Sequence, residues 1–168
     1  MKKFVLLILF IFWSLPCFAD EILYLDKKWD KDASKILYEY VLKKVNMTSE
    51  QAYDAFGYKL KDVRAVFYDL NSDGIVEVIG CIYAPYFICK EGLELFILQN
   101  NNDGYNSLGY FNFYPEKGIK IMDTKTDNYY DFERFLTKIN LVGFNKPLNY
   151  TYNSRIVAKY NKKYKLYE

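Results

Sequence analysis

The chain turns on Val63-Arg64-Ala65-Val66-Phe67-Tyr68-Asp69-Leu70-Asn71-Ser72-Asp73-Gly74-Ile75-Val76-Glu77-Val78-Ile79. Both ends of this stretch, Val63 to Tyr68 and Ile75 to Ile79, are rich in β-branched and aromatic residues and read as strands. Between them oxygen-bearing side chains recur at alternate places: Asp69, Asn71 and Asp73 at the first, third and fifth, Gly74 at the sixth and Glu77 at the ninth. A tight loop turns such side chains inward, and inward oxygens suit a hard cation such as Ca²⁺, to which Ile75 would add its backbone carbonyl. Gly74 makes the sharp turn with positive φ at no steric cost. An Asx-rich hairpin turn uses the same residue types without any metal. Against that reading, three carboxylates around one turn repel one another unless a cation joins them.

The start of the pattern is that of an EF-hand, but the twelfth place, where an EF-hand carries a bidentate Glu, is Gly80. The flanks are strands, not helices. Asp69-x-Asn71-x-Asp73-Gly74-x-x-Glu77 between apolar strands instead resembles the calcium loop of FG-GAP or VCBS repeats, the units of integrin-type β-propellers. The resemblance covers about twenty residues and departs from the family in having Glu, where Asp is commoner, at the ninth place. It implies a Ca²⁺ site at Asp69, Asn71, Asp73, Ile75 and Glu77, on a loop standing outside any propeller.

At 168 residues the chain is long enough for one domain with a sizeable core. Half its residues are hydrophobic and a fifth aromatic, which excludes a disordered chain. Met1-Lys2-Lys3, the apolar run Phe4 to Trp13 and Cys17-Phe18-Ala19 before Asp20 together read as a secretory signal peptide over residues 1–19. Lipidation at Cys17 is the competing reading, disfavoured by Pro16 directly before it. The run is too short for a membrane span. The mature protein is then one domain over residues 20–168, periplasmic or secreted. Loss of Lys2 and Lys3 leaves 21 basic against 21 acidic residues, so a nucleic-acid or anionic-membrane partner loses its electrostatic argument.

Cleavage also removes Cys17 and leaves Cys81 and Cys89, which in an oxidising compartment are expected to pair. A loop of that length is worth roughly 2.5 kcal/mol in the chain-entropy account. Two buried thiols are the alternative.

The rest of the chain reads as α+β, with two N-terminal helices packed on a mostly antiparallel sheet built of hairpins. Ile36, Leu37, Tyr40, Val41 and Val45 share one helix face, opposite Lys35, Glu39 and Lys43. Thr48 and Gln51 have the spacing of a capping box that opens a short helix stopped by Gly57. Leu93 to Leu98 and Tyr105 to Phe113 flank an Asp103-Gly104 turn, and Arg155 to Tyr160 and Tyr164 to Tyr167 form a last hairpin. Asp123-x-Lys125-x-Asp127-Asn128-x-x-Asp131 echoes the first loop, with Asn128 in the Gly place. Lys125 at its third place donates and cannot coordinate, so an internal cation is expected there instead of a metal.

The absence of His excludes His-based triads and ordinary zinc sites. No glycine-rich phosphate loop is present, and no spacing pairs Glu91, Glu94, Glu116 or Glu133 as hydrolase carboxylates. A non-enzymatic binding protein for an unknown protein or cell-envelope component is therefore the leading expectation. Tyr83-Ala84-Pro85-Tyr86-Phe87-Ile88 is its candidate recognition segment. The alternative is an inhibitor or immunity protein against a periplasmic or cell-wall hydrolase.

Overall fold

Six consecutive residues, Glu77–Ile82, are all buried, although a strand with one wet face would alternate. That pattern belongs to a strand covered on both sides. Val78 and Ile82 pack into a cluster with Ala33, Leu37, Val41, Ala52 and Tyr58, whereas Ile79 and Cys81 pack into another with Leu95, Ile97, Phe113, Ile119 and Phe132. The fold is accordingly α+β in three layers: helices, a central sheet and an outer sheet.

The computed structural model describes residues 20–89, 92–101, 103–136, 154–158, 160–161 and 166–167. The expected signal peptide with Cys17 lies outside the described residues, as does Glu91. The central sheet runs β2 (Val63–Tyr68), β3 (Glu77–Ile82), β5 (Gly92–Asn101), with β6 (Gly104–Phe113) on the far side of β5 and short β4 (Ile88–Cys89) beside its start. The outer sheet orders β1 (Glu21–Leu23), β7 (Ile119–Thr126), β8 (Tyr129–Leu136) and β9 (Ser154–Ala158). Strands β10 (Tyr160–Asn161) and β11 (Leu166–Tyr167) pair with each other. Every pairing among the described residues is antiparallel. The expectation of one sheet is corrected to two because the strands after Phe113 fold back over the face of the central sheet that the helices leave uncovered.

Helix α1 (Lys31–Val45) is capped by Asp30, whose Oδ1 accepts from the Asp32 and Ala33 N–H groups at 2.8 and 2.9 Å. Ser34 Oγ donates to the Asp30 carbonyl at 2.7 Å and accepts from Ala65 N–H at 3.1 Å, which joins the helix start to the outer edge of β2. Helix α2 (Ser49–Phe56) opens on the Thr48 and Gln51 capping box and ends at Gly57 with φ 65°. Gly80 lets α1 lie against β3, since a Cβ there would stand 2.5 Å from Ala65 Cβ and 2.6 Å from Leu37 Cδ2. The residue that breaks the EF-hand pattern is thus a packing glycine.

Candidate metal site

Tyr68 and Glu77 face each other across the β2–β3 ladder, so residues 69 to 76 form a loop closed at its neck. The strand begins at Glu77, two residues later than the composition suggests, and Ile75 and Val76 are exposed in the loop. Inside it the acidic side chains turn onto the loop's own backbone. Asp69 accepts from Asp73 N–H at 3.2 Å and from Gly74 N–H at 3.0 Å. Asn71 Oδ1 accepts from Asp73 N–H at 3.0 Å, and Asp73 Oδ1 from Ile75 N–H at 2.7 Å. Asn71 Nδ2 donates to Asp73 Oδ2 at 2.7 Å. Gly74 has φ 84° with nothing within 4 Å of an added Cβ, so conformation and not room selects glycine there. Ser72 adopts the same left-handed region at φ 62°.

Glu77 differs from the other acids in being wholly buried, at 0 % exposure. Its place in β3 puts it on the face shared with Ile79 and Cys81, toward the outer sheet. Oε2 accepts from Leu70 N–H at 2.8 Å, while Oε1 has no hydrogen-bond partner. Burial pushes its carboxyl up to about 7, and the charges of Asp73 and Asp69 push the same way, against the Leu70 N–H. An ionised carboxylate in that position lacks a counter-charge. A divalent cation in the loop would supply it.

Among the described residues no three acids stand together closely enough to hold a metal as they lie. Asp69 and Asp73 accept from backbone N–H groups, and the Asn71 amide donates to Asp73 Oδ2. The donor set still fits a hard cation: it is all oxygen, it holds one orphaned buried carboxylate atom, and release of the Asn71 to Asp73 bond frees Asp73 Oδ2.

The second acidic stretch does not build a second loop. Asp123 and Lys125 lie on β7, Asp127 and Asn128 form a two-residue hairpin turn at φ 50° and 73°, and Asp131 is buried on β8, accepting from Thr124 Oγ1 at 2.9 Å. Equal spacing gave unlike structures because β7 and β8 pair up to Thr126 and Tyr129, leaving no residues to form a cradle. Lys125 serves the first loop instead: its Nζ donates to Ser72 Oγ at 2.7 Å and to the Asn71 carbonyl at 3.5 Å. Beside it Tyr130 N–H donates to the Leu70 carbonyl at 2.9 Å. These ties across more than fifty residues carry no local sequence signal.

The expected Cys81–Cys89 disulfide is not formed, and Cys81 is a free, buried thiol. Cys81 pairs with Leu95 and Cys89 with Gly92 along the same strand β5, three residues apart. At roughly 3.3 Å per residue that offset is about 10 Å, beyond the roughly 7 Å that a disulfide spans between Cα atoms. Burial pushes the Cys81 thiol up to about 12, so it is no nucleophile at neutral pH. Of the acids considered as hydrolase carboxylates, Glu94 lies on β5, Glu116 in a single helical turn and Glu133 on β8 at 3.6 Å from Lys120 Nζ. They stand in separate elements.

The recognition segment folds as one helical turn, Pro85–Phe87. Phe87 stacks inward on Tyr58 and Phe96, with ring centroids 5.4 and 6.3 Å away, while Tyr86 lies on Phe56 at 4.4 Å and is 68 % exposed. Ile88 is exposed beside it. No helix among the described residues is long and apolar enough to cross a membrane. Compared with protein-family models, with curated proteins and with solved structures, the chain matches none of them.

Proposed function

We propose that this is an exported, non-enzymatic binding protein whose β2–β3 loop takes up Ca²⁺, in the manner of the FG-GAP calcium loops it resembles. The observation that carries the metal reading is Glu77: a fully buried carboxylate with one oxygen unpartnered, at the neck of a loop that also carries Asp69, Asn71 and Asp73. Asp69, Asn71, Asp73 and Glu77 would supply side-chain oxygens and Ile75 its carbonyl. With no bidentate twelfth ligand the affinity belongs in the extracellular range, on the order of 10⁻⁴ to 10⁻³ M.

Calorimetric titration of calcium into chelator-treated protein is expected to show one weak site. Asp73→Ala should abolish it and Asp127→Ala, at the hairpin turn, should leave it. Heat of binding that survives Asp73→Ala places the cation elsewhere. The binding role rests on Tyr86 and Ile88, held out on a turn anchored by Phe87. Tyr86→Ala should reduce capture of an envelope component while leaving the melting temperature nearly unchanged. Export rests on the basic start and apolar run. Intact mass of envelope-derived protein should begin at Asp20, and a diacylglycerol-modified Cys17 would replace that reading with a lipoprotein.

A further inference from the structure

Lys125 belongs to the outer sheet, yet its ammonium is held on the wall of the loop between Asp69 and Asp73. Ser72 Oγ and the Asn71 carbonyl accept from it, at 2.7 and 3.5 Å, and the Tyr130 ring faces it with its centroid 4.0 Å away. The Tyr130 ring gives the ammonium a cation–π contact, and the two loop acceptors fix the direction in which it points. The two residues contacted, Asn71 and Ser72, lie between Asp69 and Asp73 in the chain, so the ammonium sits on the acidic part of the loop. The neighbouring Tyr130 N–H to Leu70 O bond keeps the hairpin and the loop in register, so the ammonium returns to the same spot.

We infer that Lys125 is a tethered cation for the 69–77 loop, supporting it without metal and lowering its affinity for Ca²⁺. The second half of this rests on the calcium reading above. The first half does not. Without metal the ammonium offsets part of the loop's negative charge. When a divalent cation enters, the same ammonium is a like charge nearby and opposes it. The Asn71 carbonyl and Ser72 hydroxyl that it binds are uncharged, so its loss leaves no buried ion behind.

The test uses the mature chain with Lys125→Met, and with Lys125→Arg as the variant that keeps the charge. In chelator at low salt, Lys125→Met should lower the melting temperature. That loss should largely vanish in an Asp69→Asn, Asp73→Asn background, since there is then little charge left to offset. In calcium titrations Lys125→Met should bind several-fold more tightly than wild type at low salt and converge with it near 0.5 M salt, at roughly which screening becomes strong over a few ångströms. Lys125→Arg should follow wild type in both. Equal melting losses in the two backgrounds would overturn the support role, and unchanged or weaker calcium binding at low salt would overturn the opposition. Wild-type protein that takes up no calcium would overturn the calcium reading and the opposition together, while the chelator arm would still decide the support role.

Discussion

Glu77 carries the strongest constraint at the scale of single residues, because its carboxyl is buried and pushed up to about 7. A carboxyl raised in the folded state holds its proton more readily there than in the unfolded chain. Without metal its contribution is thus fully present below its ordinary value near 4.5 and is lost as pH rises through about 7. The loss is on the order of 3 kcal/mol by linkage. Denaturant melts in chelator between about pH 5 and pH 8 should show the decline in wild type and a much flatter profile in Glu77→Gln, whose amide imitates the protonated acid. Calcium favours the ionised form, so its stabilisation should grow over the same rise in pH. Cys81 gives a second outcome: a thiol reagent should leave it untouched in the native protein and label it on unfolding. A bridged Cys81 found by peptide mapping without reduction would contradict the strand register.

Among the elements, the β2–β3 hairpin and both helices could be read before any coordinates, since each depends on neighbours within a few residues. Thr48 and Gln51 cap α2, and Asp69 to Glu77 form a closed loop with Gly74 at positive φ. What escaped the sequence was set by contacts between distant strands. Glu77 reads as one more loop acid until the outer sheet covers it, and Cys81 and Cys89 read as a pair until β5 holds them three residues apart. The repeat of spacing at Asp123 to Asp131 misled for the opposite reason, because pairing of β7 with β8 consumed the residues that a loop needs. Gly80 connects element to layer. Gly80→Ala should force α1 off β3 and cost about 1 to 3 kcal/mol, measured as a lower midpoint in urea. An unchanged midpoint would mean that Leu37 gives way freely.

At the scale of the whole molecule, the candidate loop sits where the two sheets meet at one end. Leu70 bonds Tyr130 of the outer sheet, Lys125 reaches Ser72, and Glu77 closes the central sheet beneath them. A cation there would stabilise the junction of both layers, so its effect should appear in global unfolding and not in the loop alone. With a dissociation constant of about 10⁻⁴ to 10⁻³ M, millimolar calcium adds about 0.4 to 1.4 kcal/mol, or roughly 1 to 5 °C for a domain of this size. The most direct measurement is the thermal melt of the chain from Asp20 onward at about pH 7.5, a little above the value to which Glu77 is raised, in calcium against chelator. A calcium-dependent rise of that size, absent in Asp73→Ala, is the expected result, whereas identical melts of the wild-type protein in calcium and in chelator would contradict the calcium site.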